Sequence, residues 1–483
     1  MTNTQLAARL GEFGILIGGA VEKTGASFEV RSPYDRSLVA VAHYARPADI
    51  QRAIAHAVSG FAVTRKVPSW KRAAILEQVA ATIAARREEL AETIALEAGK
   101  PIKTARLEVD RAAFTFKVGA EEAKRIHGEI VSLDWLPGME NREAHVYRVP
   151  LGPIAGITPF NFPLLLVAHK VAPAIAAGNP VIVRPADKTP VSALKLGQMV
   201  LDAGWPANAF AVVPSTIADT AALVEDERIK LVSFTGSPAV GWGLKGRAGR
   251  KRVTLELGGN AAVIVHRDAD IAYAAERIAF GGFTYAGQSC ISAQRIYVHA
   301  DIYAAFTADL VQRTNALKAG DPLREDSDLG PVINEAAAER IGQWIDEAVA
   351  AGAVILAGGT RHGSVWQPTV IEGASASARV NCAEVFAPLV SLTKYTDVNE
   401  AIAAANAGNF GLQAGVFTHD DRVIAAAIDG IDAGGIMINE GSTFRVDHMP
   451  YGGVKQSGFG REGLRYAIEE MTEMKLVAYN RRT

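Results

Sequence analysis

A cysteine among small residues is the first feature of the chain that could do chemistry. Cys290 lies in the run Gly287-Gln288-Ser289-Cys290-Ile291, which would place a thiol on a tight turn with a backbone N–H near a reacting oxygen. A nucleophilic cysteine requires such a setting and a lowered pKa. The alternative is a structural cysteine, because free cysteines are among the most buried residues in proteins.

A glutamate beside two glycines is the second feature. Glu256 stands in Leu255-Glu256-Leu257-Gly258-Gly259, at the predicted end of a strand and between apolar residues. The glycines would let a ligand approach closely. A carboxylate in an apolar setting can act as a general base, because such a setting raises its pKa. The alternative is a glutamate that pairs with a nearby arginine.

A strand-to-helix turn is the third feature. The segment Phe234–Gly241 follows a predicted strand and opens a predicted helix, and it contains Thr235, Gly236 and Ser237. Backbone N–H groups and a hydroxyl at a helix N-terminus suit a phosphate. The segment is not a GxGxxG fingerprint, so a plain connecting turn is the alternative.

Alternating strands and helices between Pro153 and Glu256 would position these residues. The predicted strands are Val181–Val183, Phe210–Val213, Lys230–Phe234 and Val253–Leu255, and a helix opens at Thr189-Pro190 and ends near Gly204. This alternation predicts an α/β fold with a parallel, doubly wound sheet, which binds nucleotides at the carboxyl ends of its strands. A second α/β segment follows from about Asp268 to Asn439.

The remaining elements lie before and after this core. Apolar residues at helical spacing predict one long helix from Ser69, as the N-cap, to Ala98 and a second helix over Lys103–Arg125. A turn-rich stretch between Glu129–Val131 and Ala144–Val149 indicates an extended hairpin, and Lys475–Asn480 could add a strand to a sheet.

Composition excludes several classes of protein. The 483 residues are 49% hydrophobic and 21% charged, which is typical of soluble globular proteins, and the net charge of −2 gives no field that favours nucleic acid or membranes. The sequence has no apolar stretch of transmembrane length, no secretory signal and two cysteines. We therefore expect a reduced, cytoplasmic protein with no disulfide framework and no metal site.

Seven motifs together resemble the aldehyde dehydrogenase superfamily, over about Pro33 to Val477. They occur in the order expected of that superfamily, and chance agreement of all seven is negligible. The motifs are Pro159–Leu164 (PFNFPL), Gly178–Asn179, Phe234–Ser237 (FTGS), Glu256–Gly259 (ELGG), Gly287–Cys290 (GQSC), Glu384–Pro388 (EVFAP) and Pro450–Gly458 (PYGGVKQSG).

The resemblance implies roles for four catalytic residues. Cys290 matches the nucleophile, Glu256 the general base, and Asn161 the amide that forms an oxyanion hole with the Cys290 backbone N–H. Lys170 matches a lysine near the catalytic glutamate. The implied reaction is oxidation of an aldehyde to its acid through a thioester.

The resemblance also implies an NAD(P) site and a domain plan. The residues that match cofactor contacts are Thr158, Pro159, Phe160, Arg184, Ala186, Asp187, Phe234, Thr235, Gly236, Ser237, Gly241, Leu257, Gly258, Glu384 and Phe386. The implied plan assigns 1–126 and 150–255 to a Rossmann-like cofactor domain, 256–456 to an α/β catalytic domain, 457–472 to a helical return, and 127–149 with 473–483 to a small β element for oligomerisation.

Two neighbouring residues bear on the choice between NAD and NADP. Arg184 stands where the family usually has a lysine at the adenosine ribose, and an arginine fork also suits a 2′-phosphate. Asp187 stands where NAD-preferring members often carry a glutamate, and a carboxylate there would repel a 2′-phosphate. The sequence favours NAD and leaves NADP possible.

The substrate funnel of the family maps onto six residues here: Arg111, Leu165, His169, Ser289, Ile291 and Arg445. Two arginines and a histidine suggest a short polar or anionic aldehyde, since arginine binds carboxylate or phosphate in bidentate fashion. The branch resembled includes lactaldehyde, phosphonoacetaldehyde and non-phosphorylating glyceraldehyde-3-phosphate dehydrogenases. Alternatively, the arginines pair within the protein, Arg111 with Glu108 or Asp110 and Arg445 with Asp447.

Two other functions compete with a hydrolytic dehydrogenase. One is a coenzyme A-acylating dehydrogenase, which Glu256 argues against because such relatives often lack this glutamate. The other is a non-catalytic binding or structural protein, which the retention of Cys290, Glu256 and Asn161 argues against. Family members are usually dimers or dimers of dimers, so we expect a homodimer or homotetramer.

Overall fold

Residues 8–481 are described by a computed structural model of the chain. The part up to residue 150 forms seven strands and four helices. These are β1 (Glu12–Phe13), β2 (Ile15–Ile17), β3 (Ala20–Glu22), β4 (Ser27–Arg31), β5 (Leu38–His43), α1 (Pro47–Thr64), α2 (Ser69–Ala85), α3 (Arg87–Ala98), α4 (Ile102–Ala123), β6 (Glu129–Ser132) and β7 (Arg142–Pro150).

The next hundred residues alternate between strands and helices, as predicted. They form β8 (Ile154–Ile157), α5 (Leu165–Ala177), β9 (Val181–Arg184), α6 (Val191–Asp202), β10 (Phe210–Val212), α7 (Ala221–Glu225), β11 (Leu231–Thr235), α8 (Pro238–Arg247) and β12 (Arg252–Glu256).

The last part of the chain carries a second α/β unit. Its elements are β13 (Ala261–Val265), α9 (Ile271–Phe283), β14 (Ala293–His299), α10 (Tyr303–Ala316), α11 (Glu335–Ala350), β15 (Val354–Ala357), β16 (Arg361–His362), β17 (Val365–Trp366), β18 (Thr369–Glu372), α12 (Arg379–Cys382), β19 (Leu389–Tyr395), α13 (Val398–Asn406), β20 (Phe410–Gly411), β21 (Gln413–Phe417), α14 (Asp421–Gly430), β22 (Gly435–Ile438), β23 (Val454–Lys455), β24 (Gly458–Phe459), α15 (Leu464–Glu470) and β25 (Thr472–Asn480).

The first large sheet has eight strands in the order β24-β12-β11-β8-β9-β10-β2-β3. Its five inner strands, β8 to β12, run parallel, and β24, β2 and β3 each pair antiparallel with the preceding strand toward the centre of the sheet. The residues that end β11 and β12, Thr235 and Glu256, are direct neighbours in the register. The carboxyl ends of the parallel strands therefore bring several predicted site residues to one edge.

Helix α5, which links β8 to β9 in the chain, lies in the protein core. All thirteen of its residues are buried, including the polar pair His169 and Lys170. Gly178 ends the helix in a left-handed conformation (φ 84°), which glycine adopts without steric cost. A helix buried on every side can keep a histidine and a lysine only where these side chains have polar partners.

The second large sheet has seven strands in the order β15-β18-β19-β14-β13-β21-β22, all parallel except the edge strand β15. The chain passes from the first sheet to the second through only 257–260. The segments that contain Cys290 and Glu384 precede β14 and β19, so both residues lie at the amino ends of strands in the second sheet.

A third, smaller sheet joins the hairpin to the C-terminal strand. Strand β7 pairs antiparallel with β6 and, over nine residues, with β25. Strand β25 is an edge strand and exposes Met474 and Leu476. The hairpin and the added strand thus form as predicted. Of the predicted domain ranges, 1–7 and 482–483 lie outside the described residues, and the assignment of ranges to domains stays a prediction.

The prediction of a single helix from Ser69 to Ala98 is wrong, because the range forms two helices. The backbone of Arg86 leaves the helical region (φ −103°, ψ 24°), so α2 ends at Ala85 and α3 begins at Arg87. No glycine or proline marks this break. Pro68, and not Ser69, occupies the N-cap position of α2, and it gives no side-chain cap. Within 8–481, no helix combines the length and apolar character needed to cross a membrane.

Candidate active site

A cavity of about 590 Å³ opens between the carboxyl edge of the first sheet and the amino edge of the second. Cys290, Glu256 and Asn161, which lie far apart in the sequence, all line it. The structure therefore brings the three predicted reacting groups around one space. Lys170, the fourth predicted catalytic residue, lies behind the wall and does not line the cavity.

Tight backbone packing holds Cys290 at the cavity. The turn before it, Thr284–Gly287, places Tyr285, Ala286 and Gly287 in left-handed conformations. A Cβ on Gly287 would lie 1.9 Å from the carbonyl oxygen of Ala387, so only glycine fits there. The tight turn predicted from the small residues is present, and it packs closely against the segment that leads into β19.

Close backbone packing also explains the two glycines, Gly258 and Gly259, that follow Glu256 and Leu257. A Cβ on Gly259 would lie 2.0 Å from the carbonyl oxygen of Cys290, and a Cβ on Gly258 would lie 2.4 Å from Oε2 of Glu384. Because these residues have no side chain, the segment 257–260 between the two sheets can pass directly beside Cys290 and Glu384.

The Cys290 thiol contacts the hydroxyl of Tyr451 at 3.0 Å. Burial raises the pKa of Cys290 to about 12, and the hydrogen bond with Tyr451 opposes this rise. The free thiol is therefore not strongly acidic in the absence of ligands. The sequence reasoning named the motif that contains Tyr451 but gave this residue no role.

Glu256 is almost fully buried, and neither of its carboxyl oxygens has a hydrogen-bond partner. Burial raises the pKa of Glu256 well above its usual value, and the nearby Glu462 charge raises it further. The expected alternative, a glutamate paired with an arginine, is therefore not what the structure shows. A buried carboxyl group with free oxygens and a raised pKa can accept a proton from water in the cavity.

Asn161 presents its amide to the same space. Its Nδ2 donates to the carbonyl oxygen of Gln288 at 3.0 Å, and its Oδ1 has no partner. Gln288 is fixed in turn, because its side chain bonds to the backbone of Pro331 and Ile333. One amide hydrogen of Asn161 thus orients the group, and the other remains free to donate to an oxygen beside Cys290.

A network of buried charges lies on the other side of the cavity. Glu462 accepts from Lys170 and from Arg445 (3.1 Å), and His169 Nδ1 lies 3.4 Å from it. Lys170 also donates to Thr235 at 2.7 Å. Although burial opposes ionisation, Lys170, His169 and Arg445 together hold the pKa of Glu462 well below its usual value.

The network continues to Asp447. His169 Nε2 lies 3.0 Å from Asp447, and Arg111 binds the same carboxylate in bidentate fashion at 2.7 and 3.0 Å. Burial opposes ionisation here too, but the His169 and Arg111 contacts keep the pKa of Asp447 well below its usual value.

The arginines are paired within the protein, but both predicted sets of partners are wrong. Glu108 turns inward to the buried Lys100, and Asp110 turns outward to Arg87, so neither is available to Arg111. Arg445 bonds to Glu462 and not to Asp447. Glu462, which joins Lys170, His169 and Arg445, was missed because it follows the last recognised motif and no spacing marks it.

All six predicted substrate residues line the cavity, namely Arg111, Leu165, His169, Ser289, Ile291 and Arg445. The Nε of Arg445 is buried without a hydrogen-bond partner, so this guanidinium keeps one free donor. Arg277, which pairs with Glu440, and Arg340 also line the cavity and were not predicted. Within 8–481, no group of His, Cys, Asp or Glu side chains has an arrangement that could hold a metal ion.

Nine of the predicted cofactor residues line the same cavity. They are Pro159, Phe160, Thr235, Gly236, Ser237, Leu257, Gly258, Glu384 and Phe386. Thr235 ends β11, Ser237 is the N-cap of the ten-residue helix α8, and the rings of Phe160 and Phe386 meet edge to face at 6.0 Å. Glu384 accepts from the Gly259 N–H at 2.9 Å, and burial raises its pKa to about 7.

The other six predicted cofactor residues do not line the cavity. Phe234 and Gly241 pack beneath it, where a Cβ on Gly241 would lie 2.4 Å from Leu257. Thr158 follows β8, and Arg184, Ala186 and Asp187 lie at the end of β9 and beyond. Arg184 donates to the carbonyl oxygen of Ser215 at 2.6 Å and to Asp187 at 3.1 Å. The residues that do line the cavity nevertheless fit a dinucleotide: they offer the hydroxyls of Thr235 and Ser237, the N-terminus of α8, and space at Gly258 beside the Glu384 carboxylate.

The thiol, the unpaired carboxyl group and the amide thus meet around one cavity, between a doubly wound sheet and a second α/β unit. Residues 20–477 match the profile of the "Aldehyde dehydrogenase family". The chain belongs to this family, so the family and the α/β fold expected from the motifs are both confirmed.

Relatives of known name are similar over nearly the full length. The chain is 43% identical over 470 residues to a 3-sulfolactaldehyde dehydrogenase of Priestia aryabhattai, covering 97% of this chain and 98% of the relative. It is 42% identical to aspartate-semialdehyde dehydrogenase 1 of Pseudomonas canavaninivorans, covering 94% and 96%.

The solved structure of aldehyde dehydrogenase 21 from Physcomitrella patens, in complex with the reaction product succinate, has a TM-score of 0.96. It is 41% identical and covers 97% of this chain and 98% of that one.

Proposed function

We propose that this protein oxidises a short anionic aldehyde to its carboxylic acid with NAD as the hydride acceptor, and that water releases the product from a thioester on Cys290. The observation that carries the proposal is the shared cavity of Cys290, Glu256 and Asn161. The named relatives act on small polar or anionic aldehydes, which supports the substrate class.

The reaction begins at Cys290. Its thiol gives up its proton to water, and the sulfur forms a bond to the aldehyde carbon, which leaves negative charge on the aldehyde oxygen. The free amide hydrogen of Asn161 and the Cys290 backbone N–H donate to that oxygen. Loss of one such donor costs about 3–4 kcal/mol in the barrier.

The nicotinamide, when bound, supplies the acceptor for the hydride that leaves the substrate carbon, so that Cys290 carries a thioester. Glu384 would hold the adjacent ribose, and Thr235, Gly236 and Ser237 would hold the pyrophosphate at the start of α8. Glu256 then takes a proton from water, the hydroxide attacks the thioester carbon, and the carbon–sulfur bond breaks to release the acid.

We expect Glu256→Gln to form about one NADH per active site and then turn over about 10²- to 10⁴-fold more slowly, because the amide keeps the shape but accepts no proton. Rapid-mixing absorbance separates the burst from turnover. A base acts when deprotonated, and its pKa is raised, so activity should increase with pH through that raised value and lose this dependence in the variant.

Two results would contradict the role of Glu256. Wild-type steady-state turnover in the Glu256→Gln variant would exclude it as the base. A large rise in wild-type turnover on adding coenzyme A would favour the acyl-transferring alternative, since water would then not be the natural acceptor.

Charge supports an anionic substrate. Lys170, Arg111 and Arg445 carry three positive charges around the network, against the two carboxylates Glu462 and Asp447. Glu256 has a raised pKa, which favours its neutral form. A carboxylate or sulfonate on the substrate would balance the remaining positive charge and could accept from the free Nε of Arg445 and from Arg111.

We expect Arg111→Gln to raise KM about 10- to 100-fold for succinate semialdehyde and 3-sulfolactaldehyde, because a hydrogen bond to a charged group contributes about 1.5–3 kcal/mol. KM for the neutral lactaldehyde should change little. Arg106→Gln is the control, since Arg106 lies on the same helix but pairs with Glu88 and Glu325 at the surface. Equal KM changes for charged and neutral aldehydes would discard the anion site.

The region after β9 supports NAD over NADP. Arg184 already donates to Ser215 and Asp187, and the half-buried Asp187 carboxylate would repel a 2′-phosphate that approached it. We expect kcat/KM for NAD to exceed that for NADP about 10-fold or more in the wild type, where tenfold corresponds to about 1.4 kcal/mol. Asp187→Asn should reduce this ratio. A wild-type preference for NADP would overturn the proposal.

The edge strand β25 supports self-association. It presents nine residues of backbone with one unpaired edge and exposes Met474 and Leu476, and such edges readily pair with another strand. We expect a homodimer or homotetramer by light scattering, and a shift toward monomer with Leu476→Glu. Ile428→Glu, at an equally exposed apolar residue on α14, should leave the mass unchanged. A monomeric wild type would contradict the proposal.

A further inference from the structure

Tyr451 is held rigidly against the nucleophile. Its backbone N–H donates to the carbonyl oxygen of Glu462 at 3.1 Å, and its carbonyl accepts from the Glu462 N–H at 2.7 Å. The side chain is 3% exposed, and its hydroxyl lies 3.0 Å from Sγ of Cys290. A side chain clasped by two backbone hydrogen bonds can keep its hydroxyl at a fixed distance from the sulfur.

Building on the proposed function, we propose that Tyr451 is a catalytic residue: its phenolic O–H donates a hydrogen bond to Sγ and stabilises Cys290 as a thiolate. Among the described residues, Tyr451 supplies the one side-chain hydrogen bond to this sulfur. Once the thiol has lost its proton, only the phenol can be the donor, so the direction of the bond is fixed.

Arg445 strengthens this donor. Its guanidinium lies 3.5 Å from the centre of the Tyr451 ring, within the range of a cation–π contact. Positive charge over the ring draws electron density from the hydroxyl, so the O–H becomes a better donor. Glu462 fixes both partners, because it bonds to the guanidinium and to the backbone of Tyr451.

The hydroxyl keeps its own proton throughout. Burial raises the pKa of Tyr451 well above its usual value, so the phenol stays protonated at working pH. The thiol proton passes instead to water in the cavity, which leaves Glu256 to act as the base for hydrolysis. Tyr451 therefore donates a hydrogen bond and is not itself deprotonated.

Tyr451 would act at two steps. When sulfur bonds to the aldehyde carbon, its negative charge moves to the aldehyde oxygen and the hydrogen bond from Tyr451 weakens. When the thioester is hydrolysed, the carbon–sulfur bond breaks, the sulfur leaves as a thiolate, and the bond strengthens again. Both formation and release of the thioester should therefore depend on this hydroxyl.

The test measures the reactivity of the thiol toward iodoacetamide as a function of pH, in the full-length protein. The chain has two cysteines, so Cys382→Ser gives a background in which alkylation reports Cys290 alone. In Tyr451→Phe the rate of alkylation at neutral to mildly alkaline pH should fall about 10- to 100-fold, as a rise of about one to two units in the pKa of Cys290 requires.

Tyr395→Phe is the matched control. Tyr395 is also a buried tyrosine, but its hydroxyl bonds to His266, away from the cavity, so its loss should leave the alkylation rate unchanged. An equal rate in wild type and Tyr451→Phe overturns the proposal, and so does an equal fall in Tyr395→Phe.

A second variant covers the case in which the phenylalanine protein does not fold. 3-Fluorotyrosine at position 451 keeps the hydroxyl and makes it a stronger donor, so the alkylation rate should increase. An unchanged or lower rate overturns the proposal. Because alkylation needs neither aldehyde nor cofactor, the expected changes in alkylation rate in a protein that oxidises no aldehyde would refute the proposed function and leave the hydrogen bond from Tyr451 to the thiolate intact.

Discussion

The site depends on a carboxylate buried among cations. Glu462 accepts from Lys170 and Arg445 and lies beside His169, and these contacts keep it ionised in an apolar interior. Isolated charges are costly to bury, and each of these groups is tolerable because the others are present. The fixed negative charge in turn raises the pKa of the neighbouring Glu256, which has no partner of its own.

Each of the two large sheets contributes part of the site. Glu256 ends a strand of the first sheet, whereas Cys290 precedes a strand of the second, and 257–260 is the short crossing between the sheets. The glycines of that crossing pack so closely against the Cys290 carbonyl and the Glu384 carboxylate that no side chain would fit. The cavity between the sheets therefore contains groups from both, and its geometry depends on how closely the two edges pack.

Periodicity and motifs predicted the alternating elements, the hairpin and many of the residues that line the cavity, because these follow from local rules and from long matches. They did not predict the break at Arg86, where no glycine or proline stands and only the backbone conformation changes. They also missed the partners of Arg111 and Arg445. Arg111 meets Asp447 336 residues further along the chain, whereas Arg445 meets Glu462 17 residues further along, and neither pair lies within one regular element, so sequence spacing carries no information about contacts of either kind.

The position of Arg445 on the ring of Tyr451 constrains how this enzyme can diverge. The same guanidinium faces the cavity, binds Glu462 and covers the aromatic ring whose hydroxyl meets the sulfur. A substitution there that admits an uncharged aldehyde would also alter the surroundings of the reactive sulfur. Arg111 contacts neither the Tyr451 ring nor the reactive sulfur, since it binds Asp447 at the far end of the network. New specificities should therefore arise more readily by change at Arg111 than at Arg445.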